Sequence, residues 1–283
     1  MSLLLGRFQA LPPELHREII KCARLPDIVS VSLTCRTFNH EAESFLYHTI
    51  VLHDTVHATQ LWRAICSDSS RHVDRRKQIK HIGFAFIAVL THPFKAVLSA
   101  CDGIQTLAII GWESTFSWGV AQLLEERMGQ MPHLSRLTLD VISLCHSEPQ
   151  DSEMESNPSL IPGAFPQLFG QLTHLDVRST LEEDRWALWA GLASLPLLTH
   201  LAFHMWGRDL PVKILNGALA HCAALQVLVL LGDGADKYPD LTIRDDRFCI
   251  DVSTDAVGDW VNGCRGDVDL WTRAEMVIGI RRR

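Results

Sequence analysis

Fourteen histidines and eight cysteines in a chain of 283 residues are the groups whose chemistry must be accounted for first. Imidazole serves as general base or metal ligand near neutral pH, and thiolate as nucleophile or soft ligand. His53 and His57, in "HDTVH", stand four apart and share a face if that stretch is helical. The stretch follows a strand-like run, lacks the glutamate of an H-E-x-x-H site and has no clear third ligand, so no zinc site is expected. Cys22, Cys35, Cys66, Cys101, Cys145, Cys222, Cys249 and Cys264 form no C-x-x-C pair. Several lie in apolar runs such as "HCAAL" and "SLCH", where a free cysteine packs as a small hydrophobe. Such scatter argues against a disulfide framework and suits a reducing compartment. No G-x-S-x-G elbow, G-x-x-x-x-G-K-[ST] loop or G-x-G-x-x-G turn occurs. The paired acids Glu125-Glu126, Glu182-Glu183 and Asp245-Asp246 are chain neighbours, which diverge on a helix. A hydrolase built from these residues would need a histidine and an acid converging on a cysteine in a pocket. The expectation is a chain with no catalytic centre, no cofactor and no metal.

The bulk numbers point the same way. Hydrophobic residues make up 47% and charged residues 21%, an ordinary globular balance. A net charge of −7 argues against nucleic acid, which needs a concentrated basic surface. The one basic cluster, Arg71, Arg75, Arg76, Lys77 and Lys80, contains Asp74 and no interleaved aromatics, and reads as a solvated face. The start, "MSLLLGRFQA", has no basic region before its three leucines and does not read as a signal peptide. The longest apolar run, "IGFAFIAVL", is nine residues, half of what a membrane span needs. A soluble intracellular protein, cytoplasmic or nuclear, with no membrane partner is expected.

From Leu11 to Tyr47 the pattern is helical. In "LPPELHREII" either Pro12 or Pro13 fits the first helical position, where the missing N–H is harmless. Leu15, Ile19 and Cys22 then share a face, with Ile20 beside it. Pro26-Asp27 marks a stop, and Asp27 is placed to cap a second helix from Ile28 carrying Val31 and Cys35. A third helix puts Ala42, Phe45 and Leu46 on one side. Three short helices scarcely build a core of their own, so this unit needs a surface to lean on.

After Tyr47 a six-residue motif recurs: "IKHIGF", "IQTLAI", "LSRLTL", "LTHLDV", "LTHLAF" and "LQVLVL". Its starts are 25, 30, 38, 26 and 27 residues apart. The fourth and sixth positions alternate as in a strand with one buried face. His174 and His200, at the third position, therefore fall on the side away from that core. Helical stretches intervene, as in "WGVAQLLEERMGQMPH", "RWALWAGLASLPL" and "VKILNGALAHCAA". Strand then helix at this period is a leucine-rich repeat pattern, in which stacking buries what each unit leaves open. The long spacing holds an acidic, Ser- and Pro-rich insertion, 143–163, expected to be a flexible loop. "YHTIVL" reads as a degenerate first strand and "DDRFCIDV" as a last one, with helix, turn and helix beyond it. The repeats lack the Asn or Cys of the common consensus, so an irregular solenoid is expected. Trp112, Trp118 and Trp206 follow strands and read as fillers between irregular repeats, ahead of exposed binding anchors.

The stretch "LPPELHREIIKCARLPDIVSVSLTCRTF" resembles the F-box, the motif through which ubiquitin-ligase receptors dock on a Skp-type adaptor. Leu11, Pro12, Glu14 and Leu15 match its opening, Ile19-Ile20 its apolar pair, and Asp27-Ile28 its middle. Leu33, Cys35, Arg36 and Phe38 match its close, with Phe38 where Trp is usual and His16 where a second Leu is common. The resemblance implies that Leu11, Pro12, Leu15, Ile19, Ile28, Leu33, Cys35 and Phe38 form the adaptor-binding surface or the small core behind it. An F-box ahead of divergent leucine-rich repeats looks like many fungal F-box proteins, as does the C-terminal "DWVNGCRGDVDLW". The expected architecture is α/β: a three-helix F-box at 8–50, a solenoid at 51–245 and a C-terminal cap at 246–283. The function this implies is that of a substrate receptor in an SCF-type ligase, partnered by a Skp-type adaptor, a cullin scaffold and an unidentified target. The rival reading is a leucine-rich interaction scaffold outside ubiquitination, whose N-terminal helices pack on the repeats with Leu11 and Leu15 covered.

Overall fold

A computed structural model of the chain describes residues 11–23, 25–34, 36–66, 75–85, 92–110, 131–140, 170–179, 189–205, 212–232, 243–252 and 255–283. Among the described residues three helices come first: α1 (Pro13–Cys22), α2 (Leu25–Ser32) and α3 (Arg36–Leu46). Pro13 takes the first helical position, while Pro12 stays extended outside it (φ −57°, ψ 147°). The second helix starts earlier than the sequence suggests. Asp27 lies in its first turn, favourable for the helix dipole, instead of capping it.

Eight strands follow: β1 (Thr49–Leu52), β2 (His81–Ala85), β3 (Thr106–Ile110), β4 (Arg136–Asp140), β5 (His174–Ser179), β6 (His200–Met205), β7 (Val227–Leu231) and β8 (Phe248–Asp251). They form one parallel sheet in unbroken sequence order. Register follows the recurring motif, so that His174 pairs with His200 and Leu175 with Leu201. The first, fourth and sixth residues of all six motif copies, Ile79, Ile82 and Phe84 through to Leu225, Leu228 and Leu230, enter one continuous core. The second position supplies a backbone ladder at the strand entrances, from Gln105 N–H to Lys80 C=O through to Gln226 N–H to Thr199 C=O. Where that residue is threonine the hydroxyl joins in, Thr173 to Ser135 C=O (3.0 Å) and Thr199 to Thr173 C=O (3.1 Å).

The core face is covered by α4 (Thr55–Cys66), α5 (His92–Ala100), the 3-10 turn η1 (Ala190–Ser194) and α6 (Val212–His221). Phe94 meets Phe84 edge-on at 4.1 Å, and Trp189 meets Phe203 at 5.2 Å. The helix expected in "RWALWAGLASLPL" closes as a 3-10 turn over its described part. The helix around 118–133 lies almost wholly outside the described residues, as do the insertion at 143–163 and Trp112, Trp118 and Trp206. Two members of the basic cluster are structural. Arg75 pairs with Glu43 of α3 at 2.6 Å and lies over the Tyr47 ring, while Arg76 bonds the Ile65 carbonyl.

Parallel sheets are normally covered on both faces. Here the second face is closed by the C-terminal hairpin of α7 (Ala256–Arg265) and α8 (Leu270–Arg281). Asp255 caps α7 through the Gly258 N–H (2.8 Å), and Asp269 caps α8 through Thr272 (2.8 Å). The turn between them passes through Gly266 at φ +78°, a conformation that favours glycine. Helix α7 packs Trp260 on Ala108 and Ile110 beside β1–β3. Helix α8 packs Leu270, Ala274 and Ile278 on Val227, Val229, Leu231 and Cys249 of β7 and β8. Arg273 ties the ends together, reaching Asp251 at 2.6 and 3.1 Å and Asp259 at 2.7 and 3.0 Å.

Candidate functional site

The N-terminal helices divide the residues singled out by sequence into two groups. Ile28 and Phe38 are buried and build a small core with Ile20 and Ala42. His16, at the position where leucine is common, is buried against Phe38 with ring centroids 4.8 Å apart, so an aromatic contact takes the place of an aliphatic one. Ile20, not Ile19, is the member of the apolar pair that faces inward.

The remaining apolar side chains turn to solvent. Leu15 is 48% exposed and Ile19 40% on α1, and Val29 is 44% and Leu33 80% exposed on and just past α2. Leu11 is half-buried and Pro12 exposed, while Cys35 lies outside the described residues. Leu15 and Ile19 share a face of α1 at i, i+4; Val29 and Leu33 are spaced the same way along α2 and just past its end. Side-chain bonds finish the end of α2, Ser32 to Val29 C=O and Thr34 to Val31 C=O, both at 2.7 Å. Arg17 of α1 reaches Glu41 of α3 at 2.6 Å, an exposed pair that orients more than it stabilises. Four large apolar side chains held outward by a packed layer behind them have the makings of a docking surface.

A second group gathers where the hairpin crosses the middle of the sheet. His174 stacks on His200 at 4.1 Å, and Trp271 meets both edge-on. Both face away from the leucine core, as their motif position requires, yet α8 shelters them, and His200 Nε2 lies 3.0 Å from Glu275. Arg178 donates to the buried Asp176 at 2.8 Å, and burial still pushes the Asp176 carboxyl up. A small cavity here is lined by His174, Asp176, Asp259, Cys264, Asp269 and Trp271, among others. It therefore brings a cysteine, a histidine and acids to one place, the convergence a hydrolase would need. Their electrostatics run against that chemistry. Burial, with Asp269 nearby, pushes the Cys264 thiol up to about 12, whereas burial and His200 push His174 down to about 3. A thiolate–imidazolium pair requires the opposite shifts.

Elsewhere burial holds Cys101 at about 12 and Cys222 and Cys249 at about 11. His57 is engaged by Asp54, which accepts its backbone N–H at 2.7 Å and lies 2.8 Å from its ring at the start of α4. Among the described residues no three His, Cys, Asp or Glu side chains are grouped to hold a metal ion. Among them too, no helix is long and apolar enough to cross a membrane.

Sequence reasoning missed the covering of the second face. Its signals were the two aspartate caps, Gly266 and the tryptophans in "DWVNGCRGDVDLW", with glycine and alanine facing them from the strands.

No curated protein matches the chain. A family model for the F-box domain matches residues 8–48, about a seventh of the length and the same segment whose helices carry the exposed apolar face. The chain therefore begins with an F-box domain.

Proposed function

We propose that the protein is a substrate-recognition subunit of an SCF-type E3 ubiquitin ligase. The F-box docks a Skp-type adaptor, which links it to a cullin scaffold, and the remainder presents a target protein. The observation that carries this reading is the exposure of Leu15 and Ile19 on α1 and of Val29 and Leu33 along α2 within the segment matched as an F-box. The F-box resemblance assigns Leu11, Pro12 and Cys35 to the docking surface or the small core behind it, and Ile28 and Phe38 are buried in that core. A partner that removes these side chains from water gains roughly 25 cal/mol per Å² of apolar surface. This chain supplies binding surfaces, and the transfer chemistry belongs to other subunits.

The large domain is best read as an irregular leucine-rich-repeat solenoid. Sequential parallel strands, one per motif copy and spaced 25 to 38 residues apart, support that reading. A cytoplasmic or nuclear location is part of the proposal, since the adaptor and cullin reside there. The rival, a scaffold outside ubiquitination, requires Leu11 and Leu15 to be covered by the repeats, and the exposure of Leu15 counts against it.

The test is co-purification of the adaptor with the full chain. Replacing Leu11, Pro12 and Leu15 by alanine should abolish it while leaving the thermal unfolding of the large domain in place. Undiminished adaptor capture by the triple variant would refute the assignment.

A further inference from the structure

Helix α8 is apolar on two opposite faces. Leu270, Ala274 and Ile278 are pressed against β7 and β8. Met276 (61% exposed) and Ile280 (72% exposed) point the other way, while the less exposed Val277, seven residues after Leu270, flanks the buried side. Thr272, Arg273, Glu275 and Arg281 occupy the rest of its circumference, so the exposed Met276 and Ile280 form a narrow apolar strip set opposite the packed face. The outward face is also rigidly presented, because Arg273 clamps the hairpin to Asp251 and Asp259 and Arg281 donates to the Phe248 carbonyl at 2.6 Å. Gly279 lies on this side with open space where a side chain would stand, so another backbone can come close.

The C-terminal end of this face is rich in arginine. Arg281 ends the helix and Arg282 and Arg283 follow it, and the charge of Arg282 reaches Asp245 at the entrance to β8, where Arg244 and Arg247 also stand in the chain. Among the described residues Asp245, Asp246 and the half-exposed Glu275, which precedes Met276, stand against them. Asp245 is already hydrogen-bonded to Arg247, which, together with the charge of Arg282, holds its carboxyl below the usual range. In a chain of net charge −7 this is a local reversal. The sheet face itself is unavailable to a partner, because α7 and α8 lie on it.

We propose that the outward face of α8, with Met276 and Ile280 at its centre and the arginines at its C-terminal end, is the target-docking surface, and that it takes an amphipathic helical segment rich in acidic residues. The apolar residues supply anchors, and the arginines select for carboxylates and speed encounter. A second copy of the chain fits less well, because one helix face falls far short of the ~800 Å² per partner of a stable dimer. The same area suits the brief contact a receptor makes with a target. The assignment rests on the receptor role proposed above, of which it names the recognition half.

The test uses the full chain and a fluorescent designed peptide of roughly four turns, leucine at i, i+3/i+4 and i+7 and glutamate elsewhere, with a lysine-for-glutamate twin. Fluorescence anisotropy should show the acidic peptide binding at least about tenfold tighter than its twin, and weakening with salt. Ile280→Glu should weaken it about tenfold or more, and the double variant Arg282→Glu, Arg283→Glu should weaken it and flatten the salt dependence. Both variants should still capture the adaptor, so loss of adaptor binding by the unmodified chain would refute the receptor role while leaving the peptide result standing. Equal binding of the two peptides, or binding indifferent to Ile280→Glu, overturns the proposal. So does concentration-dependent self-association that Ile280→Glu abolishes, or capture by phosphatidylserine vesicles without capture of the acidic peptide.

Discussion

Gly83 sits in β2 beneath the ring of Trp260, and this contact makes the packing of the hairpin on the sheet measurable. A methyl group added at Gly83 would stand 2.9 Å from one ring carbon of Trp260 and 3.2 and 3.3 Å from two others. The buried ring cannot yield freely, so Gly83→Ala should suffer the overpacking cost of about 1–3 kcal/mol. Against this stands a gain of about 0.4–1 kcal/mol, because alanine narrows the unfolded ensemble and no positive φ forbids it here. The net expectation is a loss of about 1–2 kcal/mol, or roughly 2–7 °C in Tm for a chain of this size. Trp260→Ala alone should cost about 3–5 kcal/mol, as for a large buried aromatic. The informative variant carries both changes. With the ring gone, Gly83→Ala meets open space and should become neutral or stabilising, giving a coupling of about 1.5–3 kcal/mol. Urea unfolding followed by circular dichroism, run on all four proteins, gives the cycle. Additive losses would refute the reasoning, because they would mean that Trp260 does not lie on Gly83.

The N-terminal core and its outward face should separate cleanly. Phe38→Ala should destabilise the F-box by about 3–5 kcal/mol, while Leu33→Ala should leave stability within about 0.5 kcal/mol and weaken adaptor capture; differential hydrogen exchange over 11–47 and a pull-down read the two effects. Arg273→Ala removes the partner of the buried Asp259 and should cost about 2–4 kcal/mol, with Arg273→Lys recovering only part because an ammonium cannot fork to two carboxylates. Stability should also fall in mild acid. Burial, its stacked neighbour His200 and Arg136 depress His174 to about 3, and burial and the neighbouring His48, Arg136 and Lys80 take His81 to about 4. Unfolded histidines titrate near 6.5, so the unfolded chain binds more protons between there and the folded values. The stability they contribute is complete above about pH 6.5 and declines as pH falls toward 4 and 3. Within that window each contributes a slope of up to about 1.4 kcal/mol per pH unit, and His174→Gln should flatten it in urea midpoints taken from pH 7.5 to 5.

What could be read from the sequence was whatever repeats or alternates. The motif's first, fourth and sixth positions predicted the buried side of six strands, because an aliphatic side chain recurring at one register has only a stacked core to explain it. The flanking strands β1 and β8 were readable as degenerate copies. Helix boundaries were less so: nothing local distinguishes Asp27 as a cap from Asp27 as a first-turn residue, and the outcome depends on where Pro26 can be accommodated. Within the F-box, the pattern placed the right residues in the segment but not their sides. Ile19 and Ile20 are equally apolar, and the choice of Ile20 for the core follows from where α3 brings Phe38 and Ala42, a tertiary fact.

The second sheet face was illegible for a physical reason. Its residues, among them Gly83, Ala108, Thr138, His174, Asp176, Arg178 and His200, are small or polar, and so look like a solvated surface. Small residues on a strand also make room for large ones on a covering element, and here glycine and alanine receive Trp260. The polar ones are not left open either: Arg178 takes Asp176, Glu275 takes His200, and Arg273 from the hairpin takes Asp251. Much of this polar stripe already holds partners, so a ligand there would have to replace bonds already made. Among the described residues the exposed large apolar side chains include isolated ones such as Val56, Leu197, Val252 and Val268, and sets within one element, Leu15 and Ile19 in the F-box and Met276 and Ile280 on the last helix. Two separate apolar faces, one in the F-box and one rimmed by arginine, suit a protein whose work is to hold two different partners at once.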